Sequence, residues 1–471
     1  MSVVEDFEEE IPLSSRLGFG LSQLSSGILG SISLVAITYY YNIILGLSAV
    51  WVSLGWVIFL VWNTLNDPII GYLEDRIHSE KYGRRIPVIR FGAPFFALAF
   101  ILCWIPLVDI NNQFSLFLYF VGVLFAIDTM ITIVIMIVWI LPAEMAITAE
   151  GRGKLMTYGG VAQTIASLMS LALPILLFTG DQERGINLTI ITFMTIIGVV
   201  CGILLFISSF YITENKFAVM DEPMGFVEGV KTTFKNKAFV LYLIPYFCFF
   251  FAQQILSTAV FYYIDFVLQV GEFLALLPIL MFFVMNIIFL PVWNKIVVKI
   301  GLKKAFMSSL ILMGIGFTSF FVFGWVYITA FFALMVVGAA FSGYYLMGQM
   351  VFADVVDYDE ILTGKRRETT YAGIEALIQK PAISIAPAVF IWVILAFGFN
   401  EAATVQSPNA QIGIMLAFTI IPGLILFIGG ISVKFYPLGG PKWIKQKEEL
   451  HKKHEEKEAK YLQMLKAKDK L

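Results

Sequence analysis

The chain of 471 residues is 59% hydrophobic and 14% charged, with a mean hydropathy of +0.84, whereas soluble domains carry roughly 25% charged residues. This composition excludes a soluble globular domain and reads as a polytopic membrane protein. For such a chain the net charge of −2 matters less than where the charges fall.

The first ten residues, M-S-V-V-E-D-F-E-E-E, are acidic and lack a basic n-region, so the first span is expected to act as its own uncleaved targeting signal. Apolar runs that meet the roughly 20 residues needed to cross a bilayer fall at 19–44, 48–73, 87–108, 114–143, 154–179 and 186–212. A polar segment at 213–237 follows, then six more runs at 238–265, 272–298, 305–324, 327–356, 369–397 and 410–435. The expected organisation is a six-span half at 1–212, a cytoplasmic linker at 213–237, a second half at 238–435 and a charged cytoplasmic tail at 436–471. That tail alternates its charge signs and is expected to form a solvated helix. Cys103, Cys201 and Cys248 stand singly in apolar runs and read as packed hydrophobes.

Lys and Arg are retained on the cytoplasmic side. The even-numbered loops, at 76–90, 152–154, 216–237, 295–304 and 365–367, hold 18 of them, and the odd-numbered loops hold only Arg184. Both termini are therefore expected inside, with an even number of spans.

The stretch W-N-T-L-N-D-P-I-I-G-Y-L-E-D-R (62–76) ends the second span and places Asn63, Asn66 and Asp67 at hydrocarbon depth. An ionisable group there costs about 2.5–3.5 kcal/mol even on mild insertion scales, so Asp67 marks a functional site. The following G-R-R at 83–85 is matched after the eighth span by G-L-K-K at 301–304. The halves, 16–212 and 238–435, are 197 and 198 residues long. This duplicated plan resembles the major facilitator superfamily, whose halves rock about a midplane site. The fold expected is an all-α membrane protein of 12 transmembrane helices in two pseudo-symmetric six-helix halves. The resemblance implies that Asp75, Arg84 and Arg85 serve a gate hinge and not substrate chemistry.

Four further motifs sharpen the match. W-N-T-L-N-D-P-I-I-G, A-D-V-V-D-Y-D-E (353–360), T-G-K-R-R-E (363–368) and Q-K (379–380) stand in the order found in the glycoside-pentoside-hexuronide cation symporters, the family of melibiose permease, which the chain resembles over nearly its whole length. The resemblance implies cation ligands at Asn63, Asn66, Asp67 and Thr132. Asn63 stands where the family has an aspartate, and residues 63 and 67 share a helix face. Sodium is held by several oxygens including carboxylate, whereas a proton needs a single carboxylate, so the substitution leans towards protons.

The family's sugar-binding charges fall here on Ser26, Gly27, Ile135 and Gly160. Trp139 and Lys380 are retained, the first as a stacking face for a sugar. New charges stand nearby at Asp128, seven residues before Ile135 and so close to the same helix face, and at Glu375. Gln254 belongs to a polar patch with Gln253 and Ser257, which helix packing explains about as well. The expected substrate set is Asp128, Trp139, Gln254, Glu375 and Lys380, with a structural ion pair between Lys380 and Glu375 or Asp128 as the other reading of the lysine. At the inner face Arg152 is expected to meet Asp354, Asp357 and Arg366 in a gate network.

No phosphate-binding loop, intramembrane His or Ser-His-Asp constellation is present in the sequence. The expected function is cation-coupled symport, by proton before sodium, of a sugar or glycoside, by a monomer in the cell membrane without cofactor or nucleic-acid partner. A lysolipid carrier and a non-transporting membrane sensor are the alternatives.

Overall fold

The structure is a computed structural model, and it describes residues 11–74, 85–146, 149–180, 184–212, 233–364, 367–440 and 442–450. In lipid every backbone polar group must be satisfied within the chain, so an apolar run of this length resolves as helix. Among the described residues twelve helices are long and apolar enough to span a membrane. They are α1 (Leu13–Ile44), α2 (Ala49–Glu74), α3 (Ile86–Trp104), α4 (Gln113–Pro142), α5 (Gly151–Phe178) and α6 (Leu188–Ser208). The second set is α7 (Lys237–Leu268), α8 (Phe273–Ile300), α9 (Leu302–Phe323), α10 (Tyr327–Thr363), α11 (Thr370–Ala396) and α12 (Pro408–Phe435).

Polar residues in the loops set the starts. Asn112, Asn187, Asn236 and Ser407 each accept backbone N–H bonds from the first turn of α4, α6, α7 and α12, satisfying donors that would otherwise be orphaned. The tenth helix runs to Thr363, beyond the expected end at 356. The acidic row from Asp354 to Glu360 ends the apolar stretch but not the helical hydrogen bonding, which stops only where Gly364 turns left-handed at φ +71°.

Four helices contain one wide π-helical turn each, at Tyr40–Ile44, Ile131–Ile135, Ile264–Leu268 and Leu416–Ile420. Such turns insert a residue into the helical register and concentrate at functional sites. Within the first half α1 packs against α5 and α6, and α3 against α6; within the second, α10 packs against α8 and α9, and α7 against α11 and α12. Small residues allow the close approaches. A Cβ on Gly338 of α10 would lie 2.4 Å from the Phe282 carbonyl oxygen of α8. The halves meet along α2 with α11, α5 with α8 and α1 with α7, so a group on α11 can reach one on α2.

Candidate functional site: a charged cluster between the halves

The carboxylate of Asp67 on α2 faces α11, where the ammonium of Lys380 lies 2.5 Å from its Oδ1. Thr132, in the π-helical turn of α4, donates its hydroxyl to the same oxygen at 2.9 Å, and Lys380 Nζ lies 3.3 Å from that hydroxyl. Asn66, on the adjoining face of α2, donates to Asp128 Oδ2 at 2.8 Å and to Thr132 Oγ1 at 3.0 Å. Lys380 also lies 3.9 Å from Asp128 Oδ1. The side chains are largely withdrawn from solvent, Asp128 at 4%, Asp67 at 13% and Lys380 at 14% exposure. Buried charges of this kind persist only when paired and hydrogen-bonded, and here three helices from two halves supply the partners.

Asn63, one turn before Asp67, donates to Ser384 of α11 at 2.9 Å. Its Oδ1 is buried without a hydrogen-bond partner among the described residues. The cluster thus offers two carboxylates, a hydroxyl oxygen and an unused amide oxygen beside one ammonium. Sequence reading put Asp128 and Lys380 in the substrate set, with an ion pair between Lys380 and Asp128 as the other reading of the lysine; the geometry places both groups beside Asp67, Asn66 and Thr132. The reason is the π-helical turn at Ile131–Ile135. It lies between Asp128 and Ile135 and breaks the two-turn relation that placed both on one face.

A cavity of about 230 Å³ opens beside the cluster. Ser26, Gly27, Gly30 and Leu34 of α1, Ile135 and Trp139 of α4, Gln163 of α5 and Gln379 of α11 line it, together with Gln23, Ser31 and Ile131. Its wall is amide, hydroxyl, aromatic and aliphatic, without a titratable side chain. Trp139, 57% exposed, presents its indole there. Glu375 and Gln254 stand outside this lining. Glu375 accepts from the Tyr242 hydroxyl, and one turn on Gln379 accepts from Tyr246 at 3.1 Å, two rungs that fasten α11 to α7. Gln254 is buried and reaches the Leu34 carbonyl of α1 at 3.4 Å.

On the face of the odd-numbered loops the halves are joined. Asp265, in the π-helical turn of α7, accepts from the Tyr39 hydroxyl of α1 and, at 3.0 Å, from the Gly180 N–H. Tyr262 donates to Asn42 at 2.9 Å. Arg184 donates to the carbonyls of Glu401 and Ala403 at 2.7 and 3.0 Å. Sequence reading missed this set, although Asp265 in F-Y-Y-I-D-F-V-L is an ionisable group in an apolar run, the signal that singled out Asp67.

On the opposite face Arg152 and Asp354 have separate partners. Arg152 donates from Nε to the Ala146 carbonyl at 3.0 Å. Asp354 receives Trp443 Nε1 at 3.0 Å and Lys447 Nζ at 2.5 Å. Asp357 is half-buried on α10, and Arg85 is buried at the start of α3. Arg367 grips Asp359 with two guanidinium nitrogens, Nε to Oδ2 at 2.8 Å. Asp75, Arg84 and Arg366 lie outside the described residues. The tail is not wholly solvated as expected: residues 442–450 are helical, with Trp443 buried while Ile444 is 56% exposed.

Comparison with known proteins agrees with this architecture. An uncharacterized symporter of Synechocystis sp., sll1374, is 23% identical over 521 aligned positions, which cover 91% of this chain and 95% of that protein. A glucuronide carrier protein homolog of Escherichia coli is 22% identical, with 92% of this chain and 94% of that protein covered. A crystal structure of a D-xylose-proton symporter superposes with a TM-score of 0.61 at 18% identity, covering 88% of this chain and 97% of that one, which shows the fold. The family model described as MFS/sugar transport protein matches residues 18–440. The chain therefore belongs to the MFS/sugar transport family, within the glycoside-pentoside-hexuronide symporter type of the major facilitator superfamily.

Proposed function

We propose that the chain carries a small sugar or glycoside together with one monovalent cation, a proton in preference to sodium, by alternating access. The observation that supports this most is the ion pair across the halves, Lys380 of α11 on Asp67 of α2. Two carboxylates and one ammonium leave the cluster with one negative charge, which one bound cation neutralises. Family resemblance led to one formal charge at this site, because Asn63 replaces an aspartate; Asp128 from α4 supplies a second. A proton is favoured because the ammonium already engages the oxygens that sodium would need, and a proton requires neither space nor a ligand shell.

The neutral polar cavity beside the cluster, with Trp139 in its wall, suits the hydroxyls and apolar face of a sugar ring. The names of the relatives, a glucuronide carrier homolog and a D-xylose-proton symporter, point to the same substrate class. In this reading Trp139 contacts substrate, Gln254 and Glu375 brace the wall, and Asp128 and Lys380 serve coupling. A membrane sensor would need neither the buried ion pair nor the charges at the gate.

The excess of Lys and Arg in the even-numbered loops supports a cytoplasmic assignment for that face and for both termini; a monomer in the cell membrane is the working unit of this proposal. The joined odd-numbered face is then the closed outer gate, and the separate partners of Arg152 and Asp354 fit an open inner one. Asp75, Arg84, Arg85, Arg152, Asp354, Asp357 and Arg366 remain the inner-gate proposal. The test is Asp67→Asn in proteoliposomes. Uphill accumulation should be lost while exchange of substrate persists, and uptake by the wild type should carry protons inward. Unimpaired accumulation in the variant would refute the coupling role, and strict sodium dependence without proton movement would refute the proton preference.

A further inference from the structure

The sequence W-I-K-Q-K at 443–447 places Trp443 and Lys447 four residues apart, on one face of a helix. That face is docked. Trp443, 6% exposed, packs its ring edge-on against Tyr358 at 6.0 Å and donates to Asp354 Oδ2, while Lys447 takes Oδ1. Leu450, 8% exposed, extends the buried side. The approach to this helix is fixed too. Lys303 of α9 donates to the carbonyls of Lys434 and Tyr436 at 2.9 and 2.6 Å, and the Tyr436 hydroxyl reaches the Val351 carbonyl of α10 at 3.4 Å. Chain leaving α12 is thereby delivered to the acidic end of α10.

We propose that the helix at 442–450 is a latch that competes with Arg152 for Asp354, holding the inner gate apart until it releases; the inference rests on the gate reading given above. Both oxygens of the Asp354 carboxylate are taken, so a guanidinium cannot grip it in the paired, two-bond manner while the tail is seated. The grip is also reversible. Lys447 is 46% exposed, and an ion pair so placed contributes little on its own. The tail thus adds a conformational bias that the twelve spans alone do not contain, and whatever draws it away frees Asp354 for the other half.

The test uses the full-length protein in lipid with Gly153→Cys and Ala353→Cys, neighbours of the two gate positions, as a cross-linking reporter of inner closure. Trp443→Ala/Lys447→Ala should raise cross-linking at least about ten-fold, the factor for one hydrogen bond to a carboxylate with an exposed ion pair adding little. Adding Arg152→Ala should reverse the rise, and Lys447→Arg alone should leave cross-linking at the starting level. An unchanged yield in the tail double variant would overturn the latch. A rise that survives Arg152→Ala would overturn the competition and with it the pairing of Arg152 and Asp354. The gate reading fails separately if cross-linking of cysteines at 152 and 357 is constant through the transport cycle.

Discussion

Replacing Lys380 by methionine keeps most of the side-chain volume and removes the one ammonium that, among the described residues, contacts both Asp67 and Asp128. The loss has two parts. The charge-assisted hydrogen bond to Asp67 contributes about 1.5–3 kcal/mol. The attraction to Asp128 across 3.9 Å is about 4 kcal/mol at an effective dielectric of 20. Relief from burying the ammonium, itself several kcal/mol, offsets part of that sum, and broken buried pairs typically lose about 3–5 kcal/mol. The charge of the cluster moves from −1 to −2 in Lys380→Met and returns to −1 in Lys380→Met/Asp67→Asn. The double variant should therefore be more stable than Lys380→Met, although it lacks one more native contact. The assay is unfolding of the four proteins in one detergent, read as a double-mutant cycle with an expected coupling of about 2–3 kcal/mol. Additive losses within about 0.5 kcal/mol would mean that the two groups do not act as a pair, and the charge argument would fall.

Trp139→Ala should raise the substrate concentration for half-maximal uptake about two- to ten-fold, the range for loss of an aromatic contact of about 0.5–1.5 kcal/mol; an unchanged value in an initial-rate assay would remove Trp139 from the substrate site. Asp265→Asn should loosen the outer seal, since its carboxylate accepts from both Tyr39 and Gly180. Labelling of a cysteine placed at Ser31, in the cavity wall, by a membrane-impermeant reagent should rise about ten-fold, as expected for about 1–2 kcal/mol of charge-assisted bonding. No change would show that the seal depends on other contacts.

Hydropathy alone located all twelve spans, because a lipid-facing backbone has few ways to satisfy itself. Asp67 was legible for the same reason, as an ionisable group in the wrong solvent. Asn66 and Thr132 were named with it through the family resemblance, and a Lys380–Asp128 pair was one reading of the lysine; the contact of Lys380 with Asp67 itself was not foreseen. The partnership of Lys380 with Asp67 and Asp128 depends on how α11 is rotated against α2, which no periodicity within either helix reports. The contacts of Asp128 with Asn66 and Lys380 were not readable from spacing, because a π-helical turn leaves no mark in a run such as I-T-I-V-I. Asp265 was legible and overlooked. The docking of Trp443 was hidden by its setting in a charge-rich tail, where composition favours a solvated helix over a seat on α10.

The charge count of the cluster also determines where the membrane potential acts. With Asp67, Asp128 and Lys380 all ionised, the cluster carries −1 without a bound cation and is neutral with one. A charge that crosses the full field gains or loses about 2.3 kcal/mol per 100 mV. In the proposed cycle the loaded carrier would therefore reorient almost indifferently to voltage, whereas a potential negative inside would drive the unloaded carrier, with its uncompensated carboxylate, back towards the outer face. Lys380 halves that electrical load by travelling with the aspartates. In that cycle, hyperpolarising the cell would accelerate the return step.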